Sequence, residues 1–153
     1  MTDDQRKARP AAQYGPTGAT VARNVQDLRK ARGLSIYQLS AALRAGGRAI
    51  TPAAVGKIER QQRQVTVDDL VTLAAVLRVN PSRLMLPFED SPAESVEVTG
   101  VGAVAADSAW DWMDGEMPIE RVEPGDPSGS LMQFQLYARP PGRRMQLSPG
   151  EGD

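Results

Sequence analysis

The residues whose types and spacing could do chemistry lie between Arg44 and Arg63, and what they offer is donation to an anionic partner. Lys57 can donate to an acceptor on a base edge, such as guanine O6 or N7, or to a phosphate. Thr51 carries a hydroxyl that bonds either. Ala53 has only a methyl, suited to packing on a thymine methyl, and Pro52 cannot donate at all. Arg44 and Arg48 precede this run, and Arg60 and Arg63 stand at and beyond its end. Cations so spaced bracket a helix where phosphates would pass it. Thr51, Pro52, Ala53 and Lys57 are thus candidate base-facing residues, and Arg44, Arg48, Arg60 and Arg63 candidate phosphate contacts.

Other chemistry is poorly served. None of the 153 residues is cysteine or histidine, which removes disulfides, thiolate nucleophiles, the commonest general base and the commonest metal ligand. An enzyme would have to work with Asp and Glu alone, and no pair of them has a recognisable catalytic spacing. Asp111, Asp114 and Gly115 resemble a calcium loop only in the Asp-Gly step. With Gly115 sixth, the first and twelfth ligands would be Trp110 and Arg121. Neither a metal nor a cofactor is expected, and the chain reads as a non-enzyme. It has no apolar run of the roughly 20 residues that a membrane span needs, so a cytoplasmic location is expected.

Net charge is unevenly distributed: +1 over residues 1–20, +7 over 21–87 and -9 over 88–153. A basic middle with an acidic tail fits a polyanion-binding domain joined to a separate segment. A merely solubilising surface is the plainer account of the same numbers.

The elements that must position the candidate residues are all helices. Apolar residues at Val21, Val25, Leu28 and Ala31 give a helical stripe, with Thr17 or Thr20 as its cap and Gly33 as its stop. Ser35 and Gln38 form a capping box for a second helix to about Leu43, with Leu39 and Leu43 inward. Thr51-Pro52 opens a third through Gln61, with Val55 and Ile58 inward. Thr66 and Asp69 form another box for a helix to about Leu77, with Val67, Leu70, Leu73, Ala74 and Leu77 inward. Asn80-Pro81 starts a short fifth helix, Ser82 to Leu86, which Pro87 stops. The expectation is an all-α domain over residues 17–87, between an unstructured arm at 1–16 and an appendage at 88–153.

Three blocks carry a family resemblance: Leu28-Arg29 through Gly33-Leu34-Ser35 to Leu39-Ser40; Val55 with Lys57-Ile58-Glu59-Arg60; and Leu70, Leu73-Ala74, Leu77 and Val79. Together they resemble the lambda-repressor-like, XRE-type helix-turn-helix family. The resemblance implies a five-helix domain that binds operator DNA, usually as a homodimer. It implies a structural salt bridge between Arg29 and Glu59, base reading by Pro52, Ala53 and Lys57, and a backbone contact near Ile36. The sequence departs from the pattern in a turn lengthened by about five residues at 44–50, and in the thin chemistry of the reading face.

In the appendage, Val96 to Ala105 contains Gly-x-Gly-x-x-Ala, but the residues after it are too broken by proline and glycine for a dinucleotide fold. A short β-hairpin is the better reading. Trp110 and Trp112, then Met132, Phe134 and Leu136 alternating with polar residues, suit either a small satellite fold or a partner or effector surface. Residues 121–130 and 138–153 read as disordered. The expectation is a transcriptional regulator that places helix 51–61 in the major groove of double-stranded DNA. The alternative is a protein-interaction adaptor on the same scaffold.

Overall fold

A computed structural model describes residues 14–119 and 127–146, with backbone only at 127–129. The chain divides into two units, Met1–Phe88 and Glu89–Asp153. The described residues hold seven α-helices and one two-stranded antiparallel sheet; the expectation of five helices concerned residues 17–87, and the last two helices lie in the appendage.

The first unit contains α1 (Pro16–Ala31), α2 (Ile36–Ala45), α3 (Pro52–Glu59), α4 (Val67–Leu77) and α5 (Pro81–Met85). Its core gathers Val21 and Val25 from α1, Leu39 and Leu43 from α2, Val55 and Ile58 from α3, Leu73, Ala74 and Leu77 from α4, and Leu84 from α5. Two inward assignments fail. Ala31, in the last turn of α1, is exposed, while Ala22, in its second turn, is buried. Val67 is 76% exposed, because the first position of α4 belongs to the cap and lies outside the buried stripe.

The ends of the helices follow local rules. Ser35 accepts from the Gln38 amide and Thr66 from the Asp69 amide, each as half of a capping box. Thr51 accepts from the Ala54 amide, with Pro52 at the first helical position, where a missing N–H costs nothing. The start of α1 differs from expectation. Gly15 is its cap, Pro16 opens it, and Thr20 donates inside the helix to Pro16 O.

Four of these helices stop in the same way. A left-handed residue lets the next amide reach back to a carbonyl five residues earlier, as in Leu34 to Arg29 and Arg48 to Leu43. Gly33 and Gly47 do this after α1 and α2, without strain. After α3 and α4 the residues are Gln61, at φ 59°, and Arg78, at φ 58°, where a side chain is disfavoured. Asn24 locks the first helix to the last: its side-chain amide donates to the carbonyls of Arg83, Leu84 and Leu86, at 3.1, 3.0 and 2.8 Å.

The second unit opens with β1 (Ser95–Val98) and β2 (Gly102–Ala105), paired so that Val96 faces Val104 and Val98 faces Gly102. The glycines that suggested a nucleotide loop build the hairpin connection, with Gly100 at φ 81° and Gly102 at φ 95°. Then follow α6 (Ala106–Met113), α7 (Pro127–Ala138) and a 3-10 turn at Pro141–Arg143. Trp110 and Trp112 are half-buried on α6, and the Trp110 indole donates to Glu89 O at 2.8 Å.

Helix α7 takes up Met132, Phe134 and Leu136, which alternate with polar residues, and corrects the reading of residues 127–130 and 138 as disordered. Leu, Met, Gln and Ala dominate the segment and favour helix, and the face that turns inward is Leu131, Phe134 and Gln135. Gln135 is buried, donating to Glu116 O and accepting from the Met145 amide, each at 3.1 Å. Residues 139–146 are likewise ordered against the end of α7, where Arg144 donates to Leu136 O and Arg139 O. The expectations for residues 1–13, 121–126 and 147–153 fall outside the described residues.

Candidate nucleic-acid interface

The candidate reading surface is the outward face of α3. Pro52, Ala53, Gly56, Lys57 and Arg60 recur at helical spacing and form one wall of an open groove of about 300 Å³. Ile36 and Tyr37, from the start of α2, form the other. Lys57 and Ala53 are exposed, Pro52 is half-buried, and Thr51 is exposed just before α3, where its hydroxyl is already used as the cap. Tyr37, absent from the expected set, stands 75% exposed in the groove wall.

Two buried carboxylates hold this helix in place. Glu59, at its last turn, pairs with Arg29 of α1: Nε contacts Oε1, and Nη2 lies 3.1 Å from Oε2. Both side chains are largely buried, Glu59 3% exposed and Arg29 11%. Arg29 also donates to Leu34 O at 2.9 Å, which ties the α1–α2 connection to the same pair. The hydrogen bond that Arg29 donates to Glu59 outweighs burial and raises the Arg29 guanidinium above its ordinary value.

The second carboxylate was read from the sequence only as part of a cap. Asp69 is completely buried, and its Oδ1 accepts from Arg48 Nε at 2.7 Å. Its Oδ2 accepts from the Thr66 amide, and Arg63 Nη2 stands 3.7 Å away. Arg48 also donates to Thr66 Oγ1 at 3.2 Å. Burial alone would push the Asp69 carboxyl up. The bonds from Arg48 and Thr66, with the charge of Arg63, overcome this and hold it below the ordinary carboxylate value.

Arg48 and Arg63, which lie in the connections before and after α3, are thereby drawn onto one internal anion. Their side chains remain 38% and 34% exposed, although Nη1 of Arg63 is itself buried. Arg44 is exposed at the end of α2. Arg60 lies across α3 itself: Nη1 sits where a Gly56 side chain would project, and Nε donates to Gln62 Oε1 at 3.3 Å. The lengthened turn is residues 46–51, since α2 continues to Ala45. Ser40 Oγ bonds Ile50 O across it. Among the described residues no cluster of Asp and Glu is arranged to hold a metal ion, and no helix is long and apolar enough to cross a membrane.

Two helices joined by a turn, the second presenting a cationic stripe and held by an ion pair to the first helix of the bundle, define a helix-turn-helix. Residues 25–84 match the helix-turn-helix family model, and the resemblance read in the sequence holds over that segment. A domain of this type points to a DNA-binding regulator and away from an enzyme. No curated protein and no solved structure matches the chain.

Proposed function

We propose that this protein is a transcriptional regulator that docks α3 in the major groove of duplex DNA. The observation that carries the reading is the groove between α2 and α3, with Lys57 and Arg60 on its cationic wall and Ala53 beside them. Lys57 donates to a base edge, Ala53 packs on a thymine methyl, and the Thr51 hydroxyl reaches base or backbone at the helix start. Arg44, Arg48 and Arg63 take phosphates with the exposed parts of their side chains, and this charge supplies most of the affinity. A homodimer doubles the length of DNA read. Cytoplasmic residence accompanies this role.

Anisotropy of a labelled duplex, titrated with protein at rising salt, tests the reading. The apparent affinity is expected to fall linearly on logarithmic axes, and Lys57→Ala with Arg44→Ala to make the slope shallower. Absence of binding to any duplex at low ionic strength overturns it. The adaptor reading finds its support in the second unit, where Met132, Leu136 and Tyr137 stand exposed on α7, beyond the half-buried Trp110 and Trp112. It requires the double variant to retain full function.

A further inference from the structure

Glycine in the interior of a helix is destabilising relative to alanine, because it gives up more backbone freedom on folding. Gly56 lies inside the short α3, and its φ is not among the positive ones, so backbone geometry does not demand glycine there. What fills the space is Arg60. A Cβ at position 56 would stand 3.0 Å from Nη1 and 3.7 Å from both Cζ and Nη2, so the guanidinium lies directly on the helix where a methyl would go. Gly56 is buried as a result, although it belongs to the outward stripe.

A second restraint acts on the same group. The left-handed step at Gln61 turns the chain back, so that the Gln62 amide reaches Lys57 O at 2.7 Å. The Gln62 side chain then accepts from Arg60 Nε. Two features that each disfavour folding, a glycine in a helix and a left-handed glutamine, thus converge on fixing one arginine. A phosphate contact needs no such immobilisation, since a mobile cation serves nearly as well near a polyanion. A fixed planar fork is what bidentate recognition of a base edge requires.

We propose that Gly56 and Gln62 seat Arg60 as a specificity-determining group that reads guanine, with Nη1 and Nη2 donating to O6 and N7 in the major groove. This rests on the DNA-binding reading above and moves Arg60 from the backbone contacts to the base contacts. Lys57, its neighbour in the groove wall, remains free to supply a second base or phosphate contact.

The test uses the full chain and a duplex recovered by selection from random sequence. Each guanine is replaced in turn by 7-deazaguanine, which lacks the N7 acceptor. At one guanine the replacement is expected to weaken wild-type binding about tenfold, in the range of a bidentate base contact. The same replacement should have no effect on Arg60→Ala, and a reduced effect on Gly56→Ala, whose new methyl shifts the guanidinium by a few tenths of an ångström off its seat. Gly56→Ala should melt no lower than wild type. If it does not fold, Gln62→Ala, which frees Arg60 Nε, replaces it with the same expectation. If Arg60→Ala weakens every duplex equally and leaves the 7-deaza effect intact, Arg60 is a backbone contact and the proposal falls while DNA binding stands. If no duplex is selected or bound at all, the reading beneath it falls first.

Discussion

The two ends of the α3 region are secured by carboxylates of equal burial and unequal visibility. Glu59 meets one arginine, Arg29, on a neighbouring helix, and the pair is enclosed. Asp69 meets two, Arg48 and Arg63, which come from the connections before and after α3 and remain over a third exposed or close to it. The first arrangement is a closed structural pair. The second is a hub whose arginines face inward and outward at once, linking the fold to the surface proposed to meet phosphate. Burial of the acid therefore says little about the role of its partners; the exposure of the arginines decides it.

The sharpest way to break this comparison is to remove each acid. Glu59→Ala leaves Arg29 enclosed without a counter-charge and should cost on the order of 3–5 kcal/mol in urea unfolding. Asp69→Asn should cost less, about 2 kcal/mol, because the amide can still accept from Thr66 and Arg48, over a third exposed, can turn to water. Equal losses would mean that the two sites are energetically alike.

Acid sharpens the same contrast. The folded state holds the Asp69 carboxyl below its ordinary value, so its contribution is present above about pH 3.9 and is lost as pH falls through the lower folded-state value. Wild-type stability should therefore drop in that acid window, measured by urea unfolding across a pH series, and Asp69→Asn should drop less. An equal acid loss in the variant would assign the effect to other carboxylates.

Arg48→Ala and Arg44→Ala separate anchor from contact. The first should lower both the melting temperature and duplex affinity, whereas the second should lower affinity alone, by several-fold at low salt. A smaller effect of opposite sign is expected at the helix stops. Arg78→Gly, relieving a left-handed side chain at φ 58°, should raise stability by about 1 kcal/mol in the same unfolding assay.

How much of this was legible depends on how local the cause is. Ser35, Thr51 and Thr66 announce helix starts because a cap is decided within four residues, and the apolar spacing that buries Leu39, Leu43, Val55 and Ile58 needs no distant information. Helix α7 was not foreseen because its apolar residues fall on no single face and its first turn, Pro127-Ser128-Gly129-Ser130, has a loop-like composition. Asp69 satisfied the capping pattern, which concealed its second task. Nothing in the residue type distinguishes an arginine that meets an internal carboxylate from one that meets phosphate. The seating of Arg60 had a readable sign: a helical glycine four residues before an arginine, on the same face.

Both tryptophans, Trp110 and Trp112, belong to the second unit, and Tyr37 lines the groove of the first. The chain carries three tyrosines, Tyr14, Tyr37 and Tyr137, beside its two tryptophans. Indole emission reports the surroundings of α6, and the Tyr37 phenol reports occupancy of the groove once Tyr14 and Tyr137 are replaced by phenylalanine. Titrating one partner while watching both distinguishes an event at the reading surface from an event in the appendage, without attaching a label to either.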